Sequence, residues 1–296
     1  MRVMIAGASG LIGTSLIPHL RHGGHEVLRL VRRESRAPDE RTWDPPAGRM
    51  QDGSMDGVDA IINLCGVGIA DRRWSGDRKQ AIKDSRVEPS EVLAAAAAAH
   101  RTPTLINASG INFYGDTQDR EVDETAPVGT GFLAEVCRDW EAATSAAQPT
   151  TRVVLLRTGA VLSPSGGMLG KLRPLFSLML GGRIGSGRQY MPWISLDDEV
   201  GAISFLLENQ DVSGPVNMVG PQPATNAEFT EALGSALRRP TPFPVPPPAL
   251  KAVLGAEMAR ELVLTGPRAV PSVLDKAGYR FQHRTVADAL TAAVGR

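Results

Sequence analysis

The chain has 296 residues, 42% of them hydrophobic and 22% charged, a composition that supports a sizeable core and excludes a disordered chain. Thirty-two Lys and Arg balance 32 Asp and Glu, so neither nucleic acid nor a membrane is an expected partner, although a local basic patch stays open. No apolar run approaches the roughly 20 residues needed to cross a bilayer. The two cysteines, Cys65 and Cys137, are too few for a disulfide framework or a Cys-rich zinc site, and a cytoplasmic location is expected.

In chain order, Arg2–Ala6 reads as a short buried strand. Leu11–His22 has apolar residues at helical spacing and ends at Gly23-Gly24. Glu26–Val31 is a second strand, 41–51 a loop with room for a small hairpin, and 60–64 a third clear strand. A long helix is expected over 77–100, kinked or divided at Pro89. A strand at 104–108, a helix at 132–147 and a strand at 152–157 follow. This alternation predicts a parallel sheet covered by helices on both faces. Beyond residue 160 come Gly- and Ser-rich loops, a helix at 169–180, a helix at 197–208, a strand at 215–219 and a helix at 226–237. The segment 240–248 holds six prolines and is expected to be extended, with helices over 248–265 and 285–294 after it.

The most informative motif is Gly7-Ala8-Ser9-Gly10-Leu11-Ile12-Gly13, between the first strand and the first helix. A glycine motif alone is weak, but strand, motif, helix and second strand arrive in the order of a dinucleotide site. Gly7 suits a tight turn, Gly10 lets backbone approach a pyrophosphate, and Gly13 lets the helix pack closely on the strand. Phosphates would then meet the helix's free N–H groups, those of Leu11, Ile12 and Gly13 among them. The second strand ends at Val31-Arg32-Arg33, where an acidic residue would read the ribose of NAD and an arginine the 2′-phosphate of NADP. NADP is therefore expected rather than NAD. Asn63-Leu64-Cys65-Gly66 closes the third strand at the ligand edge; Leu64 and Cys65 are expected to be wall residues, and Gly66 leaves room for the adenosine.

These features together resemble the extended short-chain dehydrogenase/reductase family, of the sugar-nucleotide epimerase type. Trp43-Asp44-Pro45, Asp71-Arg72-Arg73-Trp74 with Lys79 and Ser85-Arg86, Trp140-Glu141, Arg157-Thr158-Gly159 and Gly214-Pro215-Val216-Asn217 are similar to landmarks of a little-characterised subgroup of epimerase-family proteins. The tail from Pro244 to Leu290 resembles a C-terminal domain of unknown function found in that subgroup. The resemblance implies an α/β fold, a Rossmann-type doubly wound parallel sheet with a smaller, mostly helical C-terminal domain. Residues 1–160, with 196–220 returning, would form the dinucleotide-binding part, and 161–195 with 221–296 the smaller part.

The family's chemistry rests on a Tyr-x-x-x-Lys pair that moves a proton to or from a substrate oxygen. No such pair exists here, since Gln118, Ile194 and His283 follow the three tyrosines at the critical spacing. The corresponding helix offers Phe132 or Leu133 for the tyrosine and Val136 or Cys137 for the lysine. Ser109, at the end of the 104–108 strand, fits the family's hydroxyl position and the cofactor edge. Tyr114, just beyond, is the candidate replacement acid, with Cys137 behind it. Asp197-Asp198 read as a helix cap rather than a catalytic pair. Trp74 reads equally as a loop anchor or, with Arg72 and Arg73, as part of an anionic-substrate site. Two functions stay open: an NADP-dependent oxidoreductase or epimerase acting on an unidentified small molecule, and an NADP(H)-binding regulatory protein without turnover.

Overall fold

The computed structural model describes residues 1–295. Its strands are β1 (Arg2–Ala6), β2 (Glu26–Val31), β3 (Glu40–Asp44), β4 (Arg49–Met50), β5 (Ala60–Asn63), β6 (Thr104–Gly110), β7 (Glu121–Val122), β8 (Arg152–Thr158), β9 (Ala160–Ser163), β10 (Trp193–Ser195), β11 (Gly214–Met218) and β12 (Arg268–Ala269). Its helices are α1 (Leu11–His22), α2 (Gly76–His100), α3 (Phe132–Ala142), α4 (Gly167–Ser177), α5 (Leu196–Glu208), α6 (Asn226–Leu237), α7 (Pro247–Leu254), α8 (Ala256–Ala259), α9 (Ser272–Ala277) and α10 (Val286–Val294). Eight strands form one sheet in the order β11-β8-β6-β5-β1-β2-β3-β4, parallel throughout except for the terminal β3–β4 hairpin. The chain winds outward in one direction from β1 through β2 and β3, and in the other through β5, β6, β8 and β11. The crevice between the carboxyl ends of β1 and β5 is therefore the topological switch point, where such sheets bind ligands.

Strand periodicity sorts the core into two layers. Val3 and Ile5 point to the face covered by α1 and α5, where they meet Leu16, Leu20, Ile203 and Leu206. Met4 and Ala6 point to the opposite face, against Leu93, Ala94 and Ala97 of α2. A separate cluster of Leu162, Leu169, Trp193, Phe229, Leu233 and Leu290 joins α4, α6 and α10 around the β9–β10 pair. No helix among the described residues is long and apolar enough to cross a membrane.

Several local expectations need correction. Pro89 does not divide α2, which runs unbroken for 25 residues. Proline removes one backbone donor, but Ile82 and Leu93 on either side are fully buried and hold the helix to the sheet. The 41–51 loop contains the hairpin, and its first strand also extends the main sheet parallel to β2. A single helix over 248–265 is not formed. The chain breaks at Gly255, whose φ is +91°, and continues as α8 and a wider helical turn over Arg260–Leu264. The cap of α5 is Ser195, whose hydroxyl accepts the Asp198 N–H at 3.0 Å. The Asp198 carboxylate instead accepts the N–H groups of Gln282 (2.7 Å) and His283 (3.0 Å), tying the C-terminal region to the sheet helix.

Glu199 lies fully buried on α5, with Thr158 Oγ1 donating to one carboxylate oxygen at 3.1 Å and no partner for the other. Burial pushes its carboxyl up to about 8 from an ordinary 4.5. The folded state thus holds a proton that the unfolded state gives up, so this contribution is fully present below about pH 4.5 and is lost as pH rises through about 8. Glu199→Gln should melt close to wild type near pH 5 and clearly above it near pH 8. A difference in melting temperature that does not grow with pH would contradict a buried, protonated Glu199.

Candidate functional site

The glycine motif forms the turn from β1 into α1. Gly7 has φ +78°, and a Cβ there would lie 2.6 Å from the Leu64 carbonyl carbon, so the β1 and β5 ends meet through bare backbone. A Cβ on Gly13 would lie 2.6 Å from the Gly7 carbonyl oxygen and 2.8 Å from that of Ala8. Gly10 differs: its φ is −76°, and an added Cβ would approach only the Gly7 oxygen, at 3.3 Å. Its outer side is open. Gly10 caps α1 with no side chain, and the first turn carries no acid. The Gly10 N–H donates to the Gly7 carbonyl at 3.0 Å, and the N–H groups of Leu11, Ile12 and Gly13 that follow belong to the first turn, at the positive end of the helix where an anion is favoured.

The space beside this turn is bridged from both sides. Gly166 and Gly167, which open α4, pack on Leu11, whose Cδ2 would touch a Gly167 Cβ at 3.0 Å. Four residues on, Lys171 Nζ donates to the Ala70 carbonyl at 2.9 Å and pairs with Asp71 at 3.1 Å. The 66–74 loop is pinned in turn by the Trp74 indole, which donates to the Ile69 carbonyl at 2.9 Å and meets the Phe132 ring edge-on at 5.0 Å. Trp74 is thus a loop anchor. Gly66 lies against the Arg86 guanidinium, which donates to the Val67 carbonyl at 3.1 Å and packs over Trp140.

At the end of β2 the two arginines part company. The Arg33 fork binds both oxygens of Glu40, at 2.8 and 2.7 Å, and holds that carboxyl down at about 2. Arg29 engages Asp39 in the same way, at 2.8 and 2.9 Å. Arg32 is exposed, has no carboxylate partner among the described residues, and lies close enough to Cys65 to act on it electrostatically.

The groups at the carboxyl ends of β6 and β8 are engaged with one another. Ser109 is buried and donates to Glu141 at 2.8 Å. Arg157 binds the same carboxylate through Nε (2.8 Å) and Nη2 (2.9 Å), donates to the Tyr114 hydroxyl at 2.8 Å, and covers the Phe113 ring. Tyr114 is 3% exposed and donates onward to Asn217 at 2.7 Å. Burial pushes its phenol up to about 12. Its expected role as a proton donor therefore meets a physical obstacle, because the hydroxyl is satisfied in both directions inside the fold. Cys137 is buried against Gly110 and Cys65 is nearly so; burial pushes both thiols up to about 12, so neither ionises near neutral pH.

Two features escaped the sequence reading. Asn63 and Asn107 are register partners on β5 and β6, and with Ser90 and the Trp140 indole they form a buried hydrogen-bonded cluster beneath the site. An asparagine closing β5 and another in the middle of β6 were the signal for it. Glu261, from the turn after α8, places its carboxylate on the N–H groups of Phe132 (3.0 Å) and Leu133 (2.9 Å) at the start of α3. No local pattern marks a contact across nearly 130 residues.

The model of the NAD dependent epimerase/dehydratase family matches residues 3–220, most of the chain. The chain belongs to that family. A domain of unknown function, DUF1731, matches residues 245–293 of this epimerase-family protein. Epimerase family protein Mb2239 of Mycobacterium bovis is 55% identical over 295 residues, covering 99% of this chain and 98% of its own. The crystal structure of human epimerase family protein SDR39U1 with NADPH superposes with a TM-score of 0.91 at 34% identity, with full coverage of both chains. A nucleoside-diphosphate sugar epimerase from Corynebacterium glutamicum matches at a TM-score of 0.82 and 36% identity, over all of this chain and 58% of that one.

The turn geometry separates two of the motif glycines. Gly13→Ala should destabilise the fold by about 1–3 kcal/mol, because the methyl would meet two backbone oxygens that cannot move independently. Gly10→Ala should leave stability near wild type. Thermal denaturation of both variants checks the pair, and equal losses would contradict the packing described.

Proposed function

We propose that this epimerase-family protein binds NADP(H) at the switch point and does not run the family's Tyr–Lys proton relay. The observation that carries the binding half is the bare α1 terminus opening on Gly10, beside an unpaired Arg32 at the end of β2. The neighbouring acids Asp39 and Glu40 are held by Arg29 and Arg33 and so are unavailable to a ribose hydroxyl. A 2′-phosphate would meet the Arg32 guanidinium, and the pyrophosphate would lie on the Gly7–Gly13 backbone, with Leu64, Cys65 and Gly66 flanking the adenosine. The NADPH of the human relative's crystal structure supports the same choice.

Within this reading Arg33 is a support for the β2–β3 edge rather than a phosphate ligand. Arg32→Ala should weaken NADPH binding by about tenfold to a hundredfold, the worth of a charge-assisted hydrogen bond, while NADH affinity changes little. Arg33→Ala should retain most of the preference. Calorimetric titration with both cofactors checks this, and a wild type that binds them equally would remove the case for NADP.

The reading of a cofactor-holding protein without turnover is favoured by one observation: the Ser109 and Tyr114 hydroxyls are bonded into the Glu141–Arg157 network. An oxidoreductase built on this site would take its proton from substrate or water. A panel of carbonyl compounds and sugar nucleotides with NADPH distinguishes the two. In either case Tyr114→Phe should leave cofactor affinity and any turnover unchanged. It should lower stability by about 1–3 kcal/mol, because Asn217 and Arg157 lose a buried partner. A hundredfold fall in turnover without loss of stability would restore Tyr114 as the acid.

A further inference from the structure

α4 starts beside the glycine turn and ends at Ser177 on the outer surface. There Leu178, Met179 and Leu180 are 68%, 55% and 66% exposed, with Leu175 at 45%. The adjoining proline-rich strap adds Phe243 at 74%, and α7 adds Val253 at 73%. Apart from Met1 and Val128, these six are all the large hydrophobic side chains exposed among the described residues. Helix α7 has no buried residue at all, although most of its residues are apolar. The two segments form one face: Arg239 Nε donates to the Ser177 carbonyl at 3.2 Å, the Val245 N–H to Arg183 at 2.8 Å, and the Gly185 N–H to Val245 at 3.1 Å.

The same two segments are charged with one sign. Residues 167–191 and 237–255 contain seven Lys and Arg and no Asp or Glu. The whole chain has a formal charge of zero, so these 44 residues carry +7 and the remainder −7 (0 − 7). Lys171 is paired with Asp71. The other six, including Arg183, Arg188, Arg238 and Lys251, have no carboxylate partner among the described residues, and no acid lies within either segment to offset them. An exposed apolar ridge ringed by unpaired cations is the pattern of a surface that lies in the headgroup layer of an anionic bilayer.

We propose that this face docks the protein on anionic lipid. Leu178, Leu180 and Phe243 enter the acyl boundary while the surrounding arginines and Lys251 meet lipid phosphates. A second copy of the chain is a poor occupant, since it would set six unpaired cations against six. The zero net charge of the whole chain conceals this patch.

The test is co-sedimentation of the full chain with vesicles of phosphatidylcholine containing phosphatidylglycerol, beside vesicles of phosphatidylcholine alone, at low and high salt. Binding to the anionic vesicles only, weakened by salt, is expected. Leu178→Glu with Leu180→Glu, and separately Arg238→Glu with Arg239→Glu, should each reduce it at least tenfold. All four positions are solvent-exposed, and an unchanged melting temperature confirms that the variants fold. Absence of binding to anionic vesicles, or binding indifferent to both variants, overturns the proposal. A dimer in sedimentation velocity that the leucine variants dissolve overturns it in favour of a contact between copies. Binding to polyglutamate with none to vesicles overturns it in favour of an acidic protein.

Discussion

A buried guanidinium must be answered on every side, and Arg157 draws much of this molecule together by being answered. It is 4% exposed, and four of its N–H groups donate: two to Glu141 of α3, one to Tyr114 and one to the Glu124 carbonyl. Removing one partner of such a pair leaves an uncompensated buried charge, which typically costs about 3–5 kcal/mol. The position of α3 against the strand ends, the turn at 111–114 and the loop before α3 are thus all set by one side chain on β8. The chain of bonds continues through Tyr114 to Asn217, whose amide donates to Val270 at 2.9 Å, and so reaches the C-terminal region.

The C-terminal region answers from a second direction. Glu261 caps α3 with its carboxylate, and Lys79 of α2 pairs with Glu257 at 2.6 Å. A carboxylate at a helix start is favoured by the helix dipole as well as by its two hydrogen bonds. The resemblance to extended short-chain reductases implies that their tyrosine would correspond to Phe132 or Leu133, at the start of this helix. Phe132 there meets Trp74 edge-on, with the Lys79 ammonium over its ring at 4.9 Å from the centroid. In this chain α3 is a packing surface for the 66–74 loop and the tail.

What was legible in the sequence was local. The turn at Gly7–Gly13, the alternation of strands and helices, and the missing Tyr-x-x-x-Lys pair each lie within a short window, and the family expectation agrees with the fold. What was not legible depended on register. Arg33 looks like a phosphate ligand until β3 pairs with β2 and sets Glu40 beside it. Tyr114 looks available until a partner 103 residues away accepts a hydrogen bond from its hydroxyl. The 248–265 stretch looks like one helix until Gly255 turns at positive φ to seat against Arg73. In each case the local pattern was right about residue type, and a partner brought in by the fold decided its use.

That difference also explains why one half of the site reads more clearly than the other. A pyrophosphate cradle is made of backbone, so it needs only glycines in the right places and is indifferent to neighbouring side chains. Proton transfer needs a side chain with a free lone pair or a movable hydrogen near the reacting atom. Ser109, Glu141, Arg157, Tyr114 and Asn217 have the right functional groups, but each polar atom named here is already bonded to another member of the set. A hydrogen held between two buried partners is poorly placed to leave, because its departure strands both. The proposed cofactor cradle and the tightly bonded strand ends are therefore compatible. One asks for empty space over bare backbone, the other for side chains that hold the space open, and the same sheet edge supplies both.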